Sequence, residues 1–550
     1  MKMSFLNTGS HIFHGTGITN GKVSGKLRFF KSEENQAFDG KKSPEEEKGR
    51  FIKAIKKTVE ETRKLAERAR SVIGNSEAQI FEIHAMLLED EDFNEAVINE
   101  ILIGKKAEEA VLESSKRYAK LLRSLNDEYL SARASDIEDI CKGIIDALSE
   151  KENVENKYDE PCILVAKDLT PSETVKLDKS KILGFVTFDG SPSSHTAILA
   201  RAMSIPALVG VGDIPIEYNL ENALLDSENG TLLISPTESE IVEFEEKRAY
   251  ENKIAKEHER YLRSIMNRPA VTKSGHKVLI YANIGEESEI ESALLNGAEG
   301  IGLLRSEFLY LSKSEYPTEE EMLSAYRNIA SKMQGKRVVI RTLDIGADKQ
   351  IPYLGLEKEE NPALGYRGVR ISLDRVDIFK SQLRAILRAS AYGNISIMVP
   401  MITTLSEVKK CKQIINECKR ELKQKGMIFD EKIEFGIMIE TPAAAIMSEE
   451  LSKEVDFFSV GTNDLTQYTM AADRQNARVS SVCDLGGEAV FKLIKMSAES
   501  IHQNGGWIGV CGEMAADLSL TQRFVDIGVD ELSISVPYLL GVREKICACK

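Results

Sequence analysis

A chain of 550 residues is too long for one hydrophobic core, and at roughly 150 residues per domain it predicts three or four units. Hydrophobic residues make up 42% and charged residues 29%, an ordinary globular balance, and no run approaches the roughly 18 apolar residues of a membrane span. The formal net charge of −15 argues against a nucleic-acid surface and favours a basic protein partner. The start MKMSFLNTGSHIF lacks a charged segment followed by an apolar one, so no secretion signal is expected and the predicted location is the cytoplasm. Eight cysteines, mostly isolated in apolar segments, predict reduced thiols, and Cys547 with Cys549 are too few for a metal site by themselves.

Residues 1–31 carry Gly15, Gly17, Gly21 and Gly25 among short apolar stretches such as KLRFF, which predicts strands with tight turns. HGTGITNG lacks the framing strand and helix of a phosphate loop and reads as turns. From 32 to 150 the period changes. Phe51, Ile55, Val59, Leu65, Ala69 and Val72 recur at three- or four-residue steps, and later sets such as Ile137, Ile140, Ile144 and Leu148 do the same, predicting an inserted four-helix bundle. Within it LLEDEDF reads as a solvated acidic face, with docking of a basic partner as the alternative, and His84 reads as packing. Strand-like runs return from Cys162 to Ser235, so 1–31 and 151–236 together form an α/β domain interrupted by the insertion. Residues 237–266, charged and free of Pro and Gly, predict a linking helix. From 267 to 550 eight short apolar runs alternate with helical segments, the pattern of a (β/α)₈ TIM barrel.

Two places collect chemistry. In GSPSSHTAILARAMSIPALVG, His195 follows the apolar run ILGFVTF and a Gly turn, and opens a helical stretch. A helix N-terminus offers unpaired N–H groups to an anion such as phosphate, and a neutral imidazole is a nucleophile, so His195 is a candidate nucleophile beside a bound anion; a core or capping histidine is the plainer alternative. In a barrel of this type the active site lies at the C-terminal strand ends. Those ends supply Asn283, Arg305, Arg341 with Asp344, Glu440, Asn463 with Asp464, and Cys511 with Glu513, while Lys349, Arg367 and Arg474 follow in the loops. Converging cations suit a substrate with phosphate and carboxylate groups, and two carboxylates suit Mg²⁺. Cys511 reads either as an acid in the pocket or as a small core residue.

GLLRSEFLY, IRTLDIGADK, NPALGYRGVR, GIMIETPAA, SVGTNDLTQY, AADR and GVCGEMAAD, together with SSHTAILAR, resemble the phosphoenolpyruvate-utilising enzymes. The order of parts resembles the enzyme I branch of the bacterial sugar phosphotransferase system, over nearly the whole chain. The resemblance implies a homodimer joined through the barrels that moves a phosphoryl group from phosphoenolpyruvate to His195 and on to a histidine of the carrier HPr. It implies phosphate-binding roles for Arg305 and Arg341, Mg²⁺ ligation by Glu440 and Asp464, and substrate contacts from Asn463, Lys349 and Arg474. Cys511 becomes the proton donor to the enolate, with Arg367 and Ser193 supporting and the helical insertion docking HPr. It further implies that the histidine domain swings, about segments near Gly21–Lys31 and Ser235–Thr237. The family loop GGxTSH is GSPSSH here: Ser191 replaces the second Gly and Pro192 follows it, both limiting the backbone, Ser193 keeps a hydroxyl in place of Thr, and Asp189 adds negative charge.

Overall fold

The computed structural model describes residues 10–30, 42–72, 75–124, 128–149, 158–192, 194–311, 313–347, 351–474, 476, 479, 482 and 487–550. It divides into two compact units, Met1–Lys253 and Ile254–Lys550. Among the described residues no helix is long and apolar enough to cross a membrane.

In the first unit, strands β1 (His11–His14), β2 (Thr16–Thr19) and β3 (Lys22–Phe29) precede the insertion. Strands β4 (Cys162–Ala166), β5 (Ile182–Thr187), β6 (Ala207–Val209), β7 (Asn222–Asp226) and β8 (Thr231–Ile234) follow it. They form one sheet in the order β1-β8-β7-β3-β4-β5-β6-β2, parallel across β3-β4-β5-β6 and antiparallel elsewhere. Every residue of β4 is buried, as the continuous run CILVA requires of a central strand covered on both faces. The HGTGITNG stretch, read above as turns, contains β2. Gly17 is needed there because a Cβ would fall 1.8 Å from the Ser227 carbonyl oxygen.

The insertion holds five helices where the periodicity predicts four: α1 (Pro44–Val72), α2 (Asn75–Leu88), α3 (Glu91–Leu102), α4 (Ala107–Ser124) and α5 (Glu128–Leu148). The unforeseen one is α3, hidden in the acidic run. The Asp90 side chain accepts the Phe93 N–H at 2.9 Å as N-cap, and Glu91 and Asp92 lie in the first turn, where the helix dipole favours negative charge. Phe93, Val97 and Ile101 then bury one face. His84, on α2, has more than apolar neighbours: Nε2 lies 3.3 Å from Asp136 Oδ1 and Nδ1 3.8 Å from Asp139 Oδ2. Asp139 also accepts the Ser172 N–H at the start of α6 (Pro171–Lys176), which ties the insertion to the sheet layer. Helix α7 (His195–Met203) follows β5, and α8 (Glu238–Ile265) follows β8. The first half of α8 is held to the sheet: Ser10 donates to Glu240 at 3.0 Å, and buried Lys22 reaches Glu251 at 2.6 Å and Glu228 at 3.1 Å.

In the second unit eight parallel strands close into a barrel. They are β9 (Leu279–Ile284), β10 (Gly300–Arg305), β11 (Val338–Arg341), β12 (Ile395–Val399), β13 (Glu434–Ile439), β14 (Phe457–Val460), β15 (Trp507–Val510) and β16 (Glu531–Ile534). Branched residues of the strands pack outward against the helices in the largest core of the chain, while Leu303, Val339, Met398, Met438, Phe457 and Cys511 fill the barrel interior. Phe457 stacks on Trp507 at 4.4 Å, and Arg337 covers the other ring at 4.6 Å.

Arg543 closes the lower side of this unit. Its side chain is 1% exposed, yet it donates to the carbonyls of Arg268 and Gly297 and pairs with Glu299 at 2.9 Å. Arg543→Leu leaves those acceptors buried without a donor and is expected to cost the unit about 3–5 kcal/mol in a urea titration, against about 0.5 kcal/mol or less for exposed Lys453→Ala. Equal midpoints for the two variants would contradict this account of Arg543.

Candidate functional site

His195 is the first residue of α7, at the passage from β5 into a helix. Ser194 is the N-cap, its Oγ accepting the Ala197 N–H at 3.3 Å, so helix start and histidine are fixed together. The turn before it depends on Gly190 at φ +110°, a conformation side-chain-bearing residues avoid. Arg201, two turns on, donates to the Pro192 carbonyl at 2.8 Å and holds the loop down from the helix side. Thr196 donates to Asp168 at 2.8 Å and anchors the first turn of α7 to the loop after β4. Ser193 lies outside the described residues.

The barrel mouth opens into a cavity of about 920 Å³. Arg305, Arg341, Arg367, Asn463, Arg474 and Cys511 line it, with the carboxylates Glu440 and Asp464. Lys349 lies outside the described residues. Arg341, at the end of β11, is gripped by Glu307 at 2.9 Å and Asp344 at 3.0 Å. Burial opposes its charge, but Glu307, Asp344 and Glu440 outweigh that and keep the guanidinium protonated. Arg367 bridges Asp344 at 3.1 Å and Asp464 at 3.4 Å, and burial is again outweighed, first by Asp344 and then by Asp464. Arg305, at the end of β10, is exposed and makes no ion pair among the described residues, which leaves its fork for a ligand anion. Arg474 stands 4.0 Å from Asp464, and Asn463 exchanges two hydrogen bonds with Glu513 across the β14 and β15 loops.

Glu440 is 1% exposed and accepts the Met401 N–H at 2.5 Å. Burial pushes its carboxyl well above the usual carboxylate range, and the like charges of Asp344 and Asp464 add to the shift. Asp344 is held by two arginines at hydrogen-bond distance, whereas among the described residues Asp464 has only the longer contacts to Arg367 and Arg474, so Glu440 and Asp464 are the carboxyl oxygens left for a cation. A divalent cation between them relieves the repulsion, and a hard cation with few protein oxygens is the type that completes its shell from a phosphorylated substrate. This donor set fits Mg²⁺. Cys511 follows β15, with its N–H on the Val460 carbonyl at 3.0 Å. Burial first of all pushes its thiol up to about 12, with Glu440 and Glu531 adding to it, so it stays protonated at neutral pH.

The residue missed in the sequence is Glu307. Its carboxylate, 2% exposed, takes both Arg341 and the Asp344 N–H, each within 3.0 Å, and so fixes two neighbouring strand ends. A signal existed: in RSE it stands two residues after Arg305, and a buried acid beside a cluster of arginines has to serve one of them. Because the Cys511 thiol is buried and protonated, alkylation of the folded protein with iodoacetamide at pH 8 is expected, among the described cysteines, to label half-exposed Cys547 first and to spare Cys511 until unfolding. Early labelling of Cys511 would refute this description of its surroundings.

Three family models cover most of the chain: PEP-utilising enzyme, N-terminal, over 14–133; PEP-utilising enzyme, mobile domain, over 158–230; and PEP-utilising enzyme, PEP-binding domain, over 259–550. The phosphoenolpyruvate-protein phosphotransferase of Bacillus subtilis (strain 168) is 42% identical over 514 residues, covering 91% of this chain and 88% of that protein. The one from Haemophilus influenzae is 43% identical over 492 residues, covering 89% and 85%. Identity of this degree along almost the full length, on an eight-stranded mixed sheet and a closed barrel, means that the chain belongs to the PEP-utilising enzymes and, among them, to the phosphoenolpyruvate-protein phosphotransferase family.

Proposed function

We propose that this chain takes the phosphoryl group of phosphoenolpyruvate onto His195 and passes it to a histidine of the carrier HPr, releasing pyruvate, as the first step of sugar uptake. The observation that carries this reading is the barrel cavity, where Arg305, Arg341 and Arg367 meet the two carboxylates Glu440 and Asp464. Arginine forks match both the phosphate and the carboxylate of the substrate. An imidazole nitrogen of His195 bonds to phosphorus as the bond from phosphorus to the enolate oxygen breaks. The enolate then takes the Cys511 thiol proton on its terminal carbon and becomes pyruvate. Arg305 and Arg341 hold the phosphoryl oxygens in place during the transfer, while Asn463, Lys349 and Arg474 orient the rest of the substrate. Mg²⁺, bound through Glu440 and Asp464, supplies further positive charge to the phosphoryl oxygens.

The acidic start of α3 and the rest of the insertion's negative surface form the docking face for HPr, the barrels join two copies into a homodimer, and the enzyme works in the cytoplasm. Pyruvate formation with HPr and phosphoenolpyruvate both in large molar excess over the enzyme tests the reading. Many turnovers per enzyme are expected, none with His195→Ala, and a fall of roughly 10²-fold or more with a raised Mg²⁺ requirement for Glu440→Gln or Asp464→Asn. Pyruvate formation that survives His195→Ala would instead indicate a lyase acting in the barrel alone.

A further inference from the structure

Asn283, the fifth residue of β9, pairs with Leu303 of β10, two residues before Arg305, and its amide is spent on two other strands. Nδ2 donates to the Cys511 carbonyl and to the Ser533 carbonyl, each at 3.0 Å, and Oδ1 accepts from the Ser533 hydroxyl at 2.6 Å. The place explains the need. Backbone pairing between β15 and β16 runs only through Gly509–Glu531 and Val510–Leu532, so the carbonyls of Cys511 and Ser533 emerge just where that ladder ends. One side-chain amide from a third strand continues the ladder for one more step and leaves neither carbonyl without a donor. On its other side Cys511 donates its N–H to the Val460 carbonyl at 3.0 Å, and its Sγ lies 3.5 Å from the same oxygen. Cys511 is thus held by its main chain from both neighbours, which sets where its Cβ and Sγ point.

We propose that Asn283 is a positioning residue for the proton-transfer step: its amide fixes the Cys511 main chain so that the thiol meets the enolate carbon from one face. This rests on Cys511 being the proton donor. Asparagine suits the task because it brings two donors and an acceptor on a short stem. Aspartate of the same shape would turn acceptor oxygens toward two carbonyls, and serine would not reach them. A displacement of about 1 Å at a reacting group costs roughly 10²-fold in rate, with little effect on substrate binding.

The test uses the full-length enzyme with HPr and phosphoenolpyruvate carrying a hydrogen isotope at C3, in isotopically labelled water. Asn283→Ser is expected to lower kcat roughly 10- to 10²-fold while KM for phosphoenolpyruvate stays within about two-fold. The pyruvate methyl group should lose its single configuration, and in a Cys511→Ser background the same change should cause almost no further loss. Ser533→Ala, which removes the hydroxyl that orients the amide and also meets the buried Glu531, should lower kcat less than Asn283→Ser. It carries the test if Asn283→Ser does not fold: parental kcat and parental stereochemistry in Ser533→Ala would then overturn the proposal. Parental kcat in folded Asn283→Ser, or a loss undiminished in the Cys511→Ser background, would also overturn it. Should Cys511→Ser itself keep parental kcat and stereochemistry, the assignment of the proton donor is what fails.

Discussion

Burying opposite charges together at the barrel mouth is the constraint on which the rest of the second unit depends. Arg341 and Arg367 cannot shed their protons, so each needs carboxylates at hydrogen-bond distance, and Glu307, Asp344 and Asp464 provide them. The balance leaves Glu440 as the carboxyl with too little compensation, pushed up by burial and by its acidic neighbours. A cavity that arranges guanidiniums in fixed forks and keeps one pair of carboxylates in mutual repulsion is prepared for a cation and a phosphorylated anion arriving together. Its selectivity comes from charges that are already ordered before the ligand arrives.

That order is a matter of register. Parallel pairing places Arg305 opposite Arg341, so the two arginines emerge side by side from β10 and β11. The helix Val376–Ala389 supports the same corner from outside: buried Gln382 accepts the Leu343 N–H at 3.0 Å and donates to the Ser306 hydroxyl at 3.0 Å. Strand ends that carry charge are therefore pinned from the core side, while the side chains themselves face the cavity. From β9, Asn283 does for β15 and β16 what Gln382 does for β10 and β11. Both are amides, the uncharged groups able to donate and accept at once inside a core.

Much of this was legible in the sequence. Eight apolar runs separated by helical periods could close only as a barrel, and once they close, the polar residue ending each run is brought to one mouth. Arg305, Arg341, Glu440 and Cys511 follow from that rule. Glu307 escaped because it stands beyond the strand end, where periodicity no longer says which way a side chain turns. Helix α3 escaped because its first turn is all charge, and the apolar face of Phe93, Val97 and Ile101 is short beside it. Strand β2 escaped because the three glycines in GTGITNG are as much a sign of turns as of a strand pressed against Ser227. His84 showed an apolar neighbourhood in sequence but not its carboxylates, which come from α5, more than fifty residues away.

The loop GSPSSH joins the two halves of the account, since its chemistry has to work with Ser191 where the resembling pattern has glycine and with Pro192 next to it. The structure meets that with Gly190 taking the positive φ, Ser194 capping α7, and Arg201 fastening Pro192. The most direct measurement is incubation with ³²P-labelled phosphoenolpyruvate and Mg²⁺, without nucleotide, followed by mapping of acid-labile label along the chain. Label on His195 that moves to added HPr is the predicted result. A folded protein that binds phosphoenolpyruvate in its barrel yet gains no label on His195 would contradict the account at its centre.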